Sequence, residues 1–465
     1  MRERPVAIDF FAGAGGLSEG LHMAGWDVAV AVEKDPFAAR SYELNQSMTR
    51  RRRTAVLVAD IENIGRQELS QALMQSRGKA LTEVDLIAGG PPCQGFSHIG
   101  SRALDDPRNR LFFHFVRMIS IVRPKAFIAE NVKGILSFAG RRIPAILEMI
   151  FDRLGYVIAY DVLNSIDFGV PQDRPRVIFF GIRKDLAGGM AETGIQVPAA
   201  CMPEGLRREF APGRIITVGE ALSDLPPGRG IALEQRIWAV QEENGQNQND
   251  DYCVQYQTAP QNSYQRVMRK RSCMVFDHHT KGMSEGRLNK VQMIPEGSTA
   301  ASAGRQNAWR RLNRSSYSHT LQAHMGKDLK EFIHPCIHRW ITVREAARLQ
   351  SFRDDYRFSG AQSVQLRQIG NAVPPHLGWA IGRAIGEQLG VFEDEQIPLR
   401  GVKVKQKGLN LVNVAKELLH VLEYKQEAHA DDEVIADVLE KIFNCMLAEA
   451  SANEDTGMQQ RKLEF

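Results

Sequence analysis

Val6-Ala7-Ile8-Asp9-Phe10-Phe11-Ala12-Gly13-Ala14-Gly15-Gly16 is the stretch that decides the fold: a short apolar run, readable as a buried strand, ends on a glycine-rich turn. The amphipathic segment Leu17 to Ala24 then reads as a helix. Working outward, the same rhythm recurs through the first 185 residues. Asp27 to Val32, Val56 to Ala59, Val84 to Ala88, Ala126 to Ala129, Val157 to Tyr160 and Val177 to Phe180 read as further strands. Leu111 to Val122 and Ile143 to Leu154 carry helical apolar spacing. Such alternation predicts an α/β fold, a doubly wound, Rossmann-like parallel sheet with helices on both faces.

Past residue 185 the rhythm breaks. Pro198, Pro203, Pro212 and Pro226-Pro227 punctuate the chain, and Gln241 to Gln261 is rich in Gln and Asn, which predicts a separate, smaller and irregular domain over 186–340. Order returns at Thr342-Val343-Arg344-Glu345-Ala346-Ala347-Arg348-Leu349-Gln350, a helix with Thr342 as N-cap and Glu345 completing a capping box. A glycine-containing helix, Leu377 to Leu389, follows. The tail, 393–465, holds two amphipathic segments, Leu411 to Leu422 and Val434 to Leu447, expected to form a helical extension docked on the protein itself or on a partner.

A chain of 465 residues, 43% hydrophobic, can bury a full-sized core and divide into two or three domains. It has no apolar run of about 18 residues, and Met1-Arg2-Glu3-Arg4-Pro5 leads straight into the first strand without a signal-peptide core. No membrane association is expected, and the reading is of a soluble, cytoplasmic protein. Cys93, Cys201, Cys253, Cys273, Cys336 and Cys445 form no CxxC pair, so no disulfide framework or cysteine-type zinc site is expected, and His278-His279 and His334-x3-His338 lack the partners a metal would need. The net charge of +4 identifies no partner, but its distribution is uneven: 261–330 holds 13 Lys/Arg against 4 Asp/Glu, whereas 393–465 holds 9 against 15. A basic middle is more often a solvated face, and it is also what phosphate neutralisation requires.

Two constellations carry chemistry. Gly13, Gly15, Gly16 and Gly20 do not make the GxGxxG of dinucleotide sites, and no GxxxxGK[ST] loop exists for a nucleoside triphosphate. Glu33, at the end of the second strand, is placed to accept both hydroxyls of a ribose, and Asp60 ends the next strand in the same way. These features describe a pocket for an adenosine without phosphates, which S-adenosylmethionine (SAM) fits. The second constellation starts at Cys93, on the loop Gly89-Gly90-Pro91-Pro92-Cys93-Gln94-Gly95-Phe96-Ser97 stiffened by two prolines. Glu130-Asn131-Val132 closes another strand and Gln172-Asp173-Arg174-Pro175-Arg176 precedes the next, and strand ends in a parallel sheet converge on one edge. A thiol that adds to an electron-poor ring, a carboxyl that protonates a ring nitrogen and a guanidinium that holds a carbonyl suit one reaction. The competing cysteine-hydrolase reading needs a histidine base, for which His98 and His114 are candidates by sequence distance.

At this point the residues resemble the DNA (cytosine-5) methyltransferases, over roughly 6–185 and 315–390. Asp9 to Ser18 resembles that family's cofactor glycine motif, Glu33 its ribose-binding acid, Asp60 the acid that reads the adenine amino group, and Gly90 to Ser97 its nucleophile loop. Glu130-Asn131-Val132, Gln172-x-Arg174-x-Arg176, Arg344 to Phe352 and Gln368-Ile369-Gly370-Asn371-Ala372-Val373-Pro374-Pro375 complete the ordered set. The resemblance implies a SAM-binding catalytic domain over 1–185 completed by 362–392, a target-recognition domain over 186–340, a hinge or supporting helix over 341–361, and double-stranded DNA in the cleft between the lobes. It implies a cofactor pocket lined by Phe11, Gly13, Gly15, Gly16, Leu17, Glu33, Lys34, Asp60, Ile61, Pro91, Asn371, Ala372 and Val373. Cys93, Glu130, Asn131, Arg174 and Arg176 are its catalytic group, acting on a cytosine flipped from the helix.

Val343 and Arg353 depart from the family, which often has proline at both places. Gln94, Ser97, Arg269, Lys270, Arg271, Arg310 and Arg311, together with His278 to Lys281, are the candidate DNA contacts. Pairing with a cognate restriction endonuclease and action as a solitary methylase are equally open from the sequence. An RNA (tRNA) cytosine methyltransferase on the same fold and a non-catalytic DNA-binding relative are the alternatives; the second predicts erosion of Cys93, Glu130 or Arg176, all of which are present.

Overall fold

The computed structural model describes residues 3–47, 53–92, 110–136, 143–188, 194–211, 213–227, 253–300, 309–392 and 396–402. Its first half is a seven-stranded sheet built from β1 (Val6–Phe10), β2 (Asp27–Glu33), β3 (Ala55–Val58), β4 (Leu86–Gly89), β5 (Ala126–Val132), β6 (Tyr156–Asn164) and β7 (Pro175–Arg183), in the order β3-β2-β1-β4-β5-β7-β6. β1 lies between β2 and β4, so the chain winds outward in both directions from it, and the strand order reverses there. In open α/β sheets that reversal leaves a crevice at the carboxyl ends of the strands.

β1 is buried on both faces, and its alternate residues go to different cores. Val6, Ile8 and Phe10 pack with α3 (Arg66–Arg77), α4 (Arg110–Val122) and α5 (Ile143–Arg153). Ala7 packs on the other face with Leu17 and Leu21 of α1 (Gly16–Ala24). α2 (Pro36–Ser47) covers the β3 side. Six of the seven strands run in one direction, as the apolar runs predicted, but β7 runs antiparallel to both β5 and β6. The reason is length: the link from Asn164 to Pro175 holds only a turn, too short for the crossover helix a parallel pair requires.

The second half builds its own core. Short helices α6 (Glu204–Arg207), α7 (Val218–Leu222), α8 (Ser263–Arg269) and α9 (Glu285–Gln292) pack with α10 (Val343–Leu349) and α11 (Gln362–Asn371) around Met202, Tyr264, Met268, Ile333, Ala346 and Leu349. Two-stranded pairings trim this core, β9 (Cys253–Gln255) with β10 (Met274–Phe276) and β11 (Thr299–Ala300) with β12 (Trp309–Arg310). α10 starts on the capping box expected for it: Glu345 N–H donates to Thr342 Oγ1 at 3.1 Å and Thr342 N–H to Glu345 Oε2 at 2.8 Å.

The last helix, α12 (Pro375–Gln388), returns to the sheet and crosses α1 at glycine distance. A Cβ on Gly20 would stand 2.5 Å from the Pro375 carbonyl oxygen and 2.6 Å from Gly378 Cα, so only glycine admits the crossing. Of the 393–465 tail, residues 396–402 are described, and Leu399–Gly401 pairs antiparallel, as β13, with β8 (Gln196–Pro198). Leu411 to Leu422 and Val434 to Leu447 lie outside the described residues.

Candidate active site

β1, β2 and β3 run parallel, so the segments after their last residues open on the same edge. The turn after β1 is tight: Phe11 has φ 57° and Gly13 φ 56°, Ala12 N–H donates to the Val32 carbonyl at 3.1 Å, and Gly15 N–H to the Ala12 carbonyl at 2.9 Å. A phenylalanine at positive φ is a strained placement of the kind held at ligand sites. Nothing lies within 4 Å of where a Gly13 Cβ would be, so the turn offers bare backbone to a ligand. Glu33 closes the turn: its Oε2 accepts Gly13 N–H and its Oε1 accepts Asp35 N–H, both at 2.8 Å. Burial raises its pKa, although both amide contacts oppose that rise. Asp60 follows β3 beside it, because Glu33 pairs in register with Val58, and Lys34 Nζ meets Asp60 Oδ2 at 3.1 Å. Ile61 is buried, and its carbonyl accepts Arg117 Nη2 at 2.7 Å.

Below the turn lies a buried polar chain: Tyr42 donates to Ser18 Oγ at 2.7 Å and Ser18 donates to Asp9 Oδ2 at 2.6 Å. Desolvation pushes the Asp9 carboxyl up to about 7, and Glu33 adds to the rise. The return of the chain completes this side. A Cβ on Gly16 would stand 2.3 Å from the Val373 carbonyl oxygen and 3.2 Å from Ala372 Cβ, so residues 371–373 lie against the turn; Asn371 is exposed and Val373 buried.

The second group forms where β4, β5 and β7 meet. Gly89 pairs with Ala129, which puts Gly90 next to Glu130: a Cβ on Gly90 would be 3.2 Å from Glu130 Oε2. Asn131 Nδ2 reaches the carbonyl of Pro91 at 3.4 Å, tying β5 to the start of the cysteine loop. Val132 pairs with Arg176, and Arg176 Nε sits 2.9 Å from Glu130 Oε1. This corrects one step of the sequence argument. Arg176 begins its strand, and in a fully parallel sheet it would have been at the far edge; the reversed direction of β7 brings it to the carboxyl end of β5. Cys93, Gln94 and Ser97 lie outside the described residues.

Arg174 does not join Glu130. Its guanidinium is buried and donates to the carbonyls of Leu321 at 2.6 Å and of Gly370 and Ala372 at 2.9 Å each, so it fixes the returning chain rather than facing the crevice. Burial presses its pKa well down. Gln172 works alongside it, donating to the Leu349 carbonyl at 3.0 Å and accepting Leu321 N–H at 2.9 Å.

Several candidate DNA contacts are committed elsewhere. Arg311 is buried and donates to the carbonyls of Val291, Ile294 and His334. Arg269 lies 3.6 Å over the Tyr256 ring and 3.3 Å from Asp224. His278 is buried between Thr342 Oγ1 at 2.9 Å and the Pro226 carbonyl at 2.7 Å, and Thr280 is buried too. Lys270, Arg271 and Lys281 are exposed and Arg310 is half-buried. Arg353, which departs from the family's proline, is mostly buried and paired with Glu19 and Asp355. Sequence reading also missed Tyr356, whose hydroxyl donates to the Ala14 carbonyl. An aromatic 342 residues away carries no local signal of such a contact.

With this geometry in view, the comparisons decide the family: a sequence model described as C-5 cytosine-specific DNA methylase matches residues 6–387. The chain belongs to that family. The methylase is 32% identical over 422 residues to the Type II methyltransferase M.DdeI of Desulfomicrobium norvegicum, covering 84% of this chain and 92% of that one. It is 34% identical over 400 residues to M.XorII of Xanthomonas oryzae pv. oryzae, covering 83% and 85%. Among solved structures it is similar to a DNA modification methyltransferase encoded within an E. coli prophage, with TM-score 0.63, 26% identity and coverage of 83% and 99%. The methylase is accordingly a DNA cytosine-5 methyltransferase with a mixed α/β fold around a seven-stranded sheet. Among the described residues no helix is long and apolar enough to cross a membrane.

Proposed function

We propose that this methylase transfers a methyl group from SAM to carbon 5 of a cytosine within a specific double-stranded DNA sequence, through a covalent bond between Cys93 and the base. The supporting observation is the pairing of Glu130 with Arg176 beside Gly90, on the sheet edge that also carries Glu33. The residues present fit SAM: each Glu33 oxygen accepts one amide and keeps a lone pair for a ribose hydroxyl, and Gly13 leaves open space beside it. Glu33 would hold the ribose, Asp60 the adenine amino group and residues 371–373 the opposite wall. When bound, SAM supplies an electrophilic methyl on a sulfonium.

The target cytosine is swung out of the duplex, because its C6 is unreachable while stacked. The Cys93 thiolate adds to C6, and Glu130 gives a proton to N3, which leaves C5 nucleophilic. Arg176, with Nε on Glu130 and Nη1 on the Pro175 carbonyl at 2.8 Å, uses its remaining nitrogen on the base O2. After C5 takes the methyl, its proton passes to water or a base, the sulfur leaves C6 as the thiolate, and N3 returns its proton to Glu130. Asn131 holds the loop at Pro91, and Arg174 holds the returning chain.

Residues 1–185, completed by 362–392, form the cofactor and catalytic lobe; 186–340 reads the DNA; 341–361 supports it through α10. Lys270, Arg271, Lys281 and Arg310 are the DNA contacts that keep accessible charge. The enzyme works where bacterial DNA lies, in the cytoplasm, alongside an endonuclease of the same specificity.

A trapping experiment tests the reading. Duplex DNA polymerised with 5-fluoro-dCTP in place of dCTP should give a denaturant-stable adduct with the wild type and SAM, and none with Cys93→Ala. Equal adducts from both proteins would refute the role of Cys93. Methyl transfer to tRNA but not to duplex DNA would refute the substrate.

A further inference from the structure

The loop after α10, residues 352–356, meets the cofactor turn and the first turn of α1 at Ala14, Gly15, Gly16 and Glu19. Phe352 lies where a Cβ on Gly16 would come within 3.0 Å of its ring. The Tyr356 hydroxyl takes the Ala14 carbonyl and also sits 2.7 Å from where a Gly15 Cβ would be. Arg353 donates to Glu19 Oε1 through Nη1 and binds Asp355 through Nε at 2.9 Å and Nη2 at 3.2 Å. Glu19 stands in the first turn of α1, its N–H on the Gly15 carbonyl at 2.9 Å. Holding its side chain therefore holds the helix terminus and the turn that feeds it.

The far side of the same loop is anchored in the second lobe. Asp354 is buried, accepting Arg348 Nε at 2.8 Å and Nη2 at 2.6 Å as well as the Tyr256 hydroxyl. Arg348 in turn binds Asp224 after α7. Side chains of Glu19 and Arg353 are 10% and 15% exposed, so the pair is shielded from water and from salt and has a fixed geometry. Proline, which the family often places at 353, has no group that could reach Glu19.

We infer that the Arg353–Glu19 ion pair is a positioning device, fastening the first turn of α1 to a loop rooted in the DNA-reading lobe and thereby setting cofactor affinity. The inference rests on the SAM reading above. Arg353 touches no reacting atom, so its loss belongs in the affinity for SAM rather than in the chemical step.

The test is calorimetric titration of SAM into the full chain for wild type, Arg353→Met, Glu19→Gln, the double variant and Arg353→Lys, with steady-state kinetics and cofactor-free thermal unfolding alongside. Each single variant should raise Kd and the KM for SAM roughly tenfold. The double variant should be no worse than either single one, and Arg353→Lys should recover part of the loss. Binding by the variants within twofold of a wild type that does bind overturns this inference and leaves the proposed function standing. SAM affinity and kcat that fall together in proportion to lost thermal stability also overturn it, by showing a purely structural pair. A wild type that binds no SAM overturns the cofactor reading and the inference with it.

Discussion

Asp9 and Glu130 show how differently two carboxylates of one sheet are used. Asp9 is buried with one oxygen on Ser18 and, among the described residues, none on its Oδ1, and desolvation moves it from 3.8 to about 7. A folded-state value above the unfolded one means that the native protein holds the extra proton between these two pH values. The contribution is full below about 4 and is lost as pH rises through about 7. Asp9→Asn should therefore unfold at a higher temperature than wild type at pH 8, by an amount worth on the order of 4 kcal/mol, with the gap closing toward pH 4. A gap independent of pH would show that Asp9 does not titrate in this range. Glu130 is instead held by Arg176 at 2.9 Å, within reach of the cysteine loop. Glu130→Gln removes the proposed proton donor while keeping the size of the side chain, and kcat should fall roughly 10²- to 10⁴-fold with the KM for SAM little changed. Single-turnover methylation assays measure this, and a kcat within threefold of wild type would remove Glu130 from the mechanism.

At the scale of elements, the crossing of α1 and α12 is set by missing side chains. A Cβ at Gly20 would meet backbone of α12 at 2.5 and 2.6 Å, and backbone cannot step aside as a side-chain tip can. Gly20→Ala should cost about 1–3 kcal/mol or more by overpacking. At Gly13 a Cβ would meet nothing within 4 Å, and the cost is confined to a left-handed backbone, about 1–2 kcal/mol. Urea unfolding of the two alanine variants should thus rank Gly20→Ala as the more damaging, whereas SAM titration should rank Gly13→Ala as the more damaging to binding. The opposite order in either assay would contradict the close crossing or the cofactor turn. α10 makes the complementary point. Its Arg344, Glu345 and Arg348 are all buried, paired with Asp277, Arg339 and the Asp224–Asp354 pair, so the charges of this helix are an internal fastening. Removing one partner of such a pair leaves an uncompensated charge in the core.

For the whole molecule, the basic middle of the sequence divides once it folds. Arg311 and Arg269 spend their charge inside the second lobe, whereas Lys270 and Arg271 stay in water. Each exposed cation that neutralises a phosphate steepens the salt dependence of DNA binding by about one counterion. Lys270→Ala and Arg271→Ala should each lower the slope of log K against log salt by about 1, measured by fluorescence anisotropy on duplex DNA. Arg311→Ala should leave the slope unchanged and lower the unfolding temperature instead. Unaltered slopes for both surface variants would place the DNA on another face.

What was legible in the sequence was what local chemistry dictates. Apolar runs ending in glycine located β1 and its turn, strand-end acids located Glu33 and Asp60, and Thr342 with Glu345 marked the start of α10, because each depends on neighbours within a few residues. The ordered motifs were enough for the family, since a reaction needs the same residue types whatever surrounds them. Tertiary structure alone decided which charges are available. Arg174 and Arg176 are two residues apart in one strand-leading segment, yet one is buried on three backbone carbonyls and the other faces Glu130. Likewise nothing near Arg353 announces Glu19, 334 residues away in the chain. Composition places a guanidinium in the chain, but burial and long-range partners determine whether it fastens the fold or meets a ligand, and those are settled only when distant segments pack together.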